Sequence, residues 1–172
     1  MGTPGIKKKI ITLQKENKNT ESIPFLEKYF ELDQHELYLK LLYARALLFR
    51  GDLQMPVPGE GIFERTEKLK RIKKNYRKAS EIFSESVLTL QKIRPRDPSL
   101  GKWFFLWALA EWFAGQKEKS VALFKKAVKV DFTLSSSYYN IASIYESLGQ
   151  EQDARIYWGK YLKAEKEFME EK

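Results

Sequence analysis

An all-α fold of stacked helix pairs is what this sequence predicts, and three observations predict it. The first is an internal period: Ala108 and Ala142, Gly115 and Gly149, Gln116 and Gln150, Phe124 and Trp158, and Lys126 and Lys160 each stand 34 residues apart. The second is helical spacing of apolar residues after each of those glycines. Val121, Phe124, Ala127 and Val128 follow Gly115, and Ala154, Tyr157, Trp158, Tyr161 and Leu162 follow Gly149. The third is composition, since 43% hydrophobic and 14% aromatic residues exclude a disordered chain. A helix pair cannot bury both its faces alone, so a fixed period of this length means pairs stacked on one another.

Taken in order, Ile6, Ile10 and Leu13 share one helix face, with Lys7, Lys8, Lys9 and Lys15 mostly on the other. Asn17-Lys18-Asn19 is a turn. Thr20 or Ser22 can cap the next helix, with Pro24 in its first turn, where a missing N–H does no harm. Phe25, Leu26, Tyr29 and Phe30 supply that helix's apolar face. A third helix carries Leu39, Leu42, Tyr43, Ala44 and Leu47 and reaches Gly51. Pro56, Pro58, Gly59 and Gly61 then mark Asp52–Gly61 as loop. The helical pattern resumes at Ile62 or Phe63 and runs unbroken through Leu69, Ile72, Tyr76, Ala79, Phe83, Val87 and Leu90 until Arg94-Pro95 stops it. A helix of ~30 residues would rise ~45 Å, about twice an ordinary repeat helix. Two clean units follow, and an acidic helical tail, Lys163–Lys172, ends the chain.

On these residues the chain resembles the tetratricopeptide repeat (TPR) family. The family's pattern of bulky, small, glycine-turn, small and aromatic positions falls on Tyr138, Ile141, Ala142, Tyr145, Gly149, Ala154, Trp158, Tyr161 and Glu165 in the last unit. In the unit before it falls on Phe104, Trp107, Ala108, Glu111, Gly115, Ser120, Phe124, Ala127 and Asp131. Glu111, Ser120 and Tyr161 depart from the pattern, and Phe132 stands where proline is usual. The resemblance implies a right-handed solenoid of about four antiparallel helix pairs in one domain. Its units would be about 4–36, 37–93 with an insertion at 52–75, 101–134 and 135–168. It also implies a concave groove lined by Leu41, Arg45, Leu48 and Phe49, by Phe105, Leu109, Trp112 and Phe113, and by Tyr139, Asn140, Ser143 and Glu146. The family's grip on a C-terminal carboxylate is disfavoured, because Leu42 and Leu106 occupy the asparagine place that Asn140 matches.

Catalysis has little to stand on. His35 is the one histidine, at a repeat junction, where a surface or capping role is expected. Without cysteine there is no thiol nucleophile, disulfide or zinc-thiolate site. Pro58-Gly59-Glu60-Gly61 lacks the Lys-Ser/Thr of a phosphate loop. No metal set and no cofactor is expected.

Charge is more informative. Net charge is +8, and Glu64–Lys78 holds eight cations, Arg65, Lys68, Lys70, Arg71, Lys73, Lys74, Arg77 and Lys78, against Glu64 and Glu67. This basic helix either covers its own apolar stripe with long stems or docks an acidic protein or an anionic membrane. Nucleic acid is disfavoured, because no aromatics interleave the charge. Helix Lys102–Ala114 is apolar on every side, so its groove face either takes a partner or is covered by the chain's own inserted loop.

The expected function is a non-catalytic protein–protein interaction module that takes an apolar helix or extended segment in its groove. The alternatives are an adaptor docking through residues 64–78, a self-associating scaffold, and an accessory subunit of an enzyme. No apolar run approaches the ~18 residues of a membrane span. Met1-Gly2-Thr3-Pro4-Gly5 reads as a cloning remnant, so a removed targeting segment leaves the compartment open.

Overall fold

Residues 2–32, 36–53, 59–130 and 135–170 are described by the computed structural model, and their regular structure is entirely helical. The helices are α1 (Thr3–Lys15), α2 (Ile23–Glu31), α3 (Leu37–Leu53), α4 (Ile62–Ile93), α5 (Leu100–Ala114), α6 (Lys117–Val130), α7 (Ser135–Ser147) and α8 (Glu151–Glu170), with a 3-10 turn at Thr20–Ser22. The fold is therefore all-α, in the order expected of successive helix pairs. By its contacts the chain divides into two compact units, Met1–Thr89 and Leu90–Lys172.

In unit 1, α1 buries Ile6, Ile10 and Leu13, as their spacing dictates. Asn17 then takes a left-handed conformation, φ 58°, and the Lys18 N–H returns to the Leu13 carbonyl at 2.9 Å. Asparagine tolerates this conformation better than most residues, so it closes the helix where glycine usually would. Ser22 does precede α2, but its hydroxyl does not cap it. The hydroxyl donates to the Asn19 carbonyl at 2.6 Å and accepts from Gln14 Nε2 at 2.7 Å, tying the buried turn back to α1.

Glu36 joins three helices at the entrance to α3. Lys7 of α1 donates to its carboxylate at 2.6 Å, and the Tyr29 hydroxyl of α2 donates to it, also at 2.6 Å. The hydrogen bond to Glu36 pushes the Tyr29 phenol up to about 12, and Lys7 and Tyr29 together hold the Glu36 carboxyl below its ordinary value. The α3 helix runs through Gly51 to Leu53, two residues into the segment expected to be loop. The next helix begins only at Ile62, so no tight turn is required at Gly51. His35 and residues 54–58 of the expected loop lie outside the described residues.

The long helix forms as the sequence predicts. α4 is 32 residues, about 48 Å, without a break at Tyr76. From Ile72 onward it buries Ile72, Tyr76, Ala79, Phe83 and Val87. It is fastened to α3 by a Lys40–Glu85 ion pair at 2.8 Å and by Lys78 Nζ donating to the Tyr43 hydroxyl, also at 2.8 Å. Tyr43 in turn donates to Glu27 of α2 at 2.9 Å. Its first turns are exposed.

Unit 2 shows the period as geometry. Gly115 and Gly149 both have positive φ, 90° and 71°. The Gln116 N–H reaches back to the Glu111 carbonyl at 2.8 Å, and the Gln150 N–H to the Tyr145 carbonyl at 2.9 Å. Two glycine-terminated turns of the same hydrogen-bond pattern thus recur 34 residues apart. Beyond them α5 packs on α6, α6 on α7, and α7 on α8. The small residues mark close crossings. Ala108, Ser120 and Ala142 are fully buried, Ala154 nearly so, and the Ser120 hydroxyl donates to the Ala108 carbonyl at 2.8 Å. Trp107 and Phe124 fill the core beside them. Buried Glu111 accepts from Trp107 Nε1 at 3.1 Å and pairs with Lys119 at 2.5 Å.

Two outcomes test this packing. Ala142→Leu should overpack the α7–α8 crossing and cost roughly 1–3 kcal/mol in chemical denaturation, while a substitution at exposed Arg155 should be near neutral. Tyr29 supplies a pH signature. Its folded pKa lies above the ordinary phenol value of 10, so the protonated form is favoured on folding. That contribution is full below pH 10 and is lost as pH rises toward about 12. Stability of the wild-type chain should fall more steeply across that window than stability of Tyr29→Phe.

Candidate partner-binding surfaces

In unit 2, α5 buries most of its circumference. Leu100, Trp103, Phe104, Leu106, Trp107, Ala108, Ala110, Glu111 and Ala114 are all covered. What stays open is one stripe. Phe105, Leu109 and Trp112 are half-buried, and Phe113 is 37% exposed. Positions i, i+4, i+7 and i+8 lie on one helix face. The helix that looked apolar all round therefore has a buried side and a part-exposed apolar side, and the second carries the residues expected to line the groove. Phe105 is anchored from beneath by an edge-on contact with Phe124, ring centroids 5.4 Å apart. The Lys117 ammonium lies 5.7 Å from the Trp112 ring centroid, beside the stripe.

On α7, Tyr139 is 48% exposed, Glu146 is exposed, and Asn140 and Ser143 are half-buried. The Asn140 amide donates to the Ser136 carbonyl at 2.7 Å, so this donor serves its own helix. Tyr139 and Glu146 are brought together by Trp158, which the sequence placed at an aromatic position of the family pattern. The Trp158 indole donates to Glu146 at 2.8 Å, and its ring stands edge-on to Tyr139 at 5.1 Å. Tyr161 completes the cluster, 5.6 Å from Tyr139 and 6.0 Å from Trp158. Spacing alone could find Trp158, since it stands 34 residues after Phe124, but not its half-exposure. Phe124 has α7 packed on its helix, whereas α8 is the last described helix.

In unit 1 the expected lining divides. Arg45 and Phe49 are half-buried, the guanidinium 5.7 Å from the Phe49 ring centroid. Leu41 and Leu48 are each only 2% exposed, so as the chain stands they offer no surface to a ligand. With apolar residues around nearly the whole of α3, the spacing could not tell its inner face from its outer one.

The basic stretch sorts by partner. Lys68 is paired with Glu60 and, at 3.8 Å, with Glu64. Lys78 is committed to Tyr43, whose ring centroid is 5.1 Å from the ammonium. Lys70 pairs with Glu67 at 2.8 Å yet stays largely exposed. Arg71, Lys73, Lys74 and Arg77 are exposed, and among the described residues none of them forms an ion pair. Lys70, Lys73, Lys74, Arg77, Lys78 and Glu81 wall an open depression of about 550 Å³. A second hollow, about 340 Å³, lies between α6 and α7. There the Tyr145 hydroxyl accepts from Lys125 at 2.8 Å, a bond that raises the lysine pKa.

Among the described residues no cluster of three or more His, Asp or Glu could hold a metal ion, and no helix is long and apolar enough to cross a membrane.

Comparison with known proteins adds three findings. No curated protein matches the sequence. Solved structures with a similar course of helices include "MamA 41-end from Desulfovibrio magneticus RS-1", 16% identical over 96% of each chain with a TM-score of 0.49. Another is "MamA MSR-1 C2", 16% identical over 96% of this chain and 97% of that one, with a TM-score of 0.47. Similarity at this level bears on no function. The tetratricopeptide repeat family model matches residues 135–168, which is helix pair α7–α8 with its Gly149 turn and its Ala142 and Ala154 crossing. Residues 135–168 of the chain therefore form a tetratricopeptide repeat.

Proposed function

We propose that the chain is a non-catalytic protein-interaction module, and that unit 2 takes an apolar helix or extended segment of another protein along α5 and α7. One observation carries the reading. The α5 helix is buried on every side except one stripe, and past exposed Lys102 in the first turn that stripe is apolar, made of Phe105, Leu109, Trp112 and Phe113. A part-exposed row of large apolar side chains on an otherwise closed helix is a common mark of a partner site. Trp112 is its anchor, since buried aromatic anchors often dominate binding energy. Tyr139, Ser143 and Glu146 extend the site onto α7 and set its polar edge. The reading treats the helix pairs as one domain. In unit 1, Arg45 and Phe49 stay half-buried and are a candidate surface of that unit alone, while Leu41 and Leu48 are buried.

A second reading is favoured by the cations of α4. Arg71, Lys73, Lys74 and Arg77 are exposed and without ion-pair partners among the described residues, which suits docking to an anionic surface. The two readings differ in physics. Apolar docking tolerates moderate salt, and electrostatic docking weakens steeply with it.

The test pairs two tryptophans of α5. Trp107→Ala removes a core ring and should cost roughly 3–5 kcal/mol, seen as an early melt. Trp112→Ala should melt close to wild type and lose capture of its partner from an extract of the source organism, or lose self-association in sedimentation. Loss of self-association would identify the occupant as a second copy of the chain. A Trp112→Ala protein as destabilised as Trp107→Ala would show that the stripe is core, and the reading would fail.

A further inference from the structure

The exposed turns of α4 carry more than charge. Ile62 is 87% exposed and Phe63 is 82% exposed, two large apolar residues at the very start of the helix. Their position relative to the cations follows from helix geometry. Phe63, Lys70 and Arg77 are seven apart in turn, and residues seven apart lie within about 20° of one another. Lys73 is eleven residues beyond Ile62, and Lys74 eleven beyond Phe63, which again returns each pair to one side. The opposite side holds Ile72, Tyr76, Ala79 and Phe83, all buried. One face of α4 thus presents an apolar tip followed by four cations over about 21 Å, with Glu67 between them paired to Lys70 at 2.8 Å and Lys70 still largely exposed. Glu81 is the one carboxylate among the residues that wall this depression.

We propose that this face lies on an anionic lipid bilayer, with Ile62 and Phe63 entering the headgroup–acyl boundary and Lys70, Lys73, Lys74 and Arg77 seated among the lipid phosphates. The proposal rests on the second reading above, that the cations of α4 dock an anionic surface, and names that surface. Charge complementarity selects an anionic partner. The apolar tip selects a bilayer over an acidic protein, because it needs an apolar phase beside the anionic layer, and an interface supplies both along one plane. The aliphatic stems that wall the 550 Å³ depression suit the same boundary, with ammonium groups reaching back to phosphate. Lys68 and Lys78 take no part, being held by Glu60 and Tyr43.

Co-sedimentation of the full chain with vesicles tests this. Wild type should bind vesicles of mixed phosphatidylcholine and phosphatidylserine, and not pure phosphatidylcholine. Reversing the set Lys70→Glu, Lys73→Glu, Lys74→Glu and Arg77→Glu should weaken binding by about 100-fold or more, with helical content and melting near wild type. The pair Ile62→Ser and Phe63→Ser should bind at low salt but release at salt where wild type holds. Trp112→Ala should bind vesicles as wild type does, which separates this site from the stripe on α5. Binding to polyglutamate without binding to the anionic vesicles would overturn the bilayer and keep the anionic-surface reading. Binding to neither would overturn both, and binding indifferent to the four reversals would overturn the assignment of the face.

Discussion

Unit 2 depends on two helix backbones being able to come close. Between α5 and α6 the Ser120 hydroxyl meets the Ala108 carbonyl, and where α7 packs on α8 the small residues Ala142 and Ala154 are both buried. Once these positions are small, the larger rings on either side, Trp107 and Phe124, can interdigitate at the density of a protein interior. Two of the departures from the family pattern become intelligible there. Ser120 is small enough for the crossing and its hydroxyl is satisfied by the Ala108 carbonyl. Glu111 stands where a bulky residue is usual, and its buried carboxylate is tolerated because Trp107 donates to it and Lys119 reaches in from the surface. Neither substitution leaves a bare polar group in the core.

What could be read from the sequence was local. The period fixed the glycine turns, and helical spacing fixed the 32 residues of α4, because both are properties of nearby residues. On α5, the difference between buried Trp107 and part-exposed Trp112 is a matter of register on a single helix. What could not be read were relations between distant residues. Lys78 looked like part of a free basic patch until Tyr43, 35 residues earlier, claimed it. Leu41 and Leu48 fitted a groove as well as a core, since α3 is apolar on nearly every side. Ser22 had the right chemistry for a cap, and only the fold shows its hydroxyl turned to Asn19. Gly51 matched the turn glycines in register, yet the helix passes through it, because no second helix follows at once.

The two candidate surfaces use different forces, which makes them separable in one molecule. The stripe on α5 is apolar and held from beneath by core rings. The face of α4 is charged, so docking through it would weaken with salt. They lie in different compact units, so a change to one surface can leave the other's local packing intact.

The continuous course of α4 has a consequence for its motions. From Ile72 to Val87 its backbone amides sit over a buried face, and opening any of them to solvent exposes packed side chains. From Ile62 to Arg71, among the described residues, the turns are held closed by the helix's own hydrogen bonds, the Lys68 pairs and the Lys70–Glu67 pair. One unbroken helix therefore contains two opening regimes, with amide hydrogen exchange rapid at its start and slow from Ile72 onward. Fraying of those first turns would not propagate, because the first buried contact at Ile72 halts it.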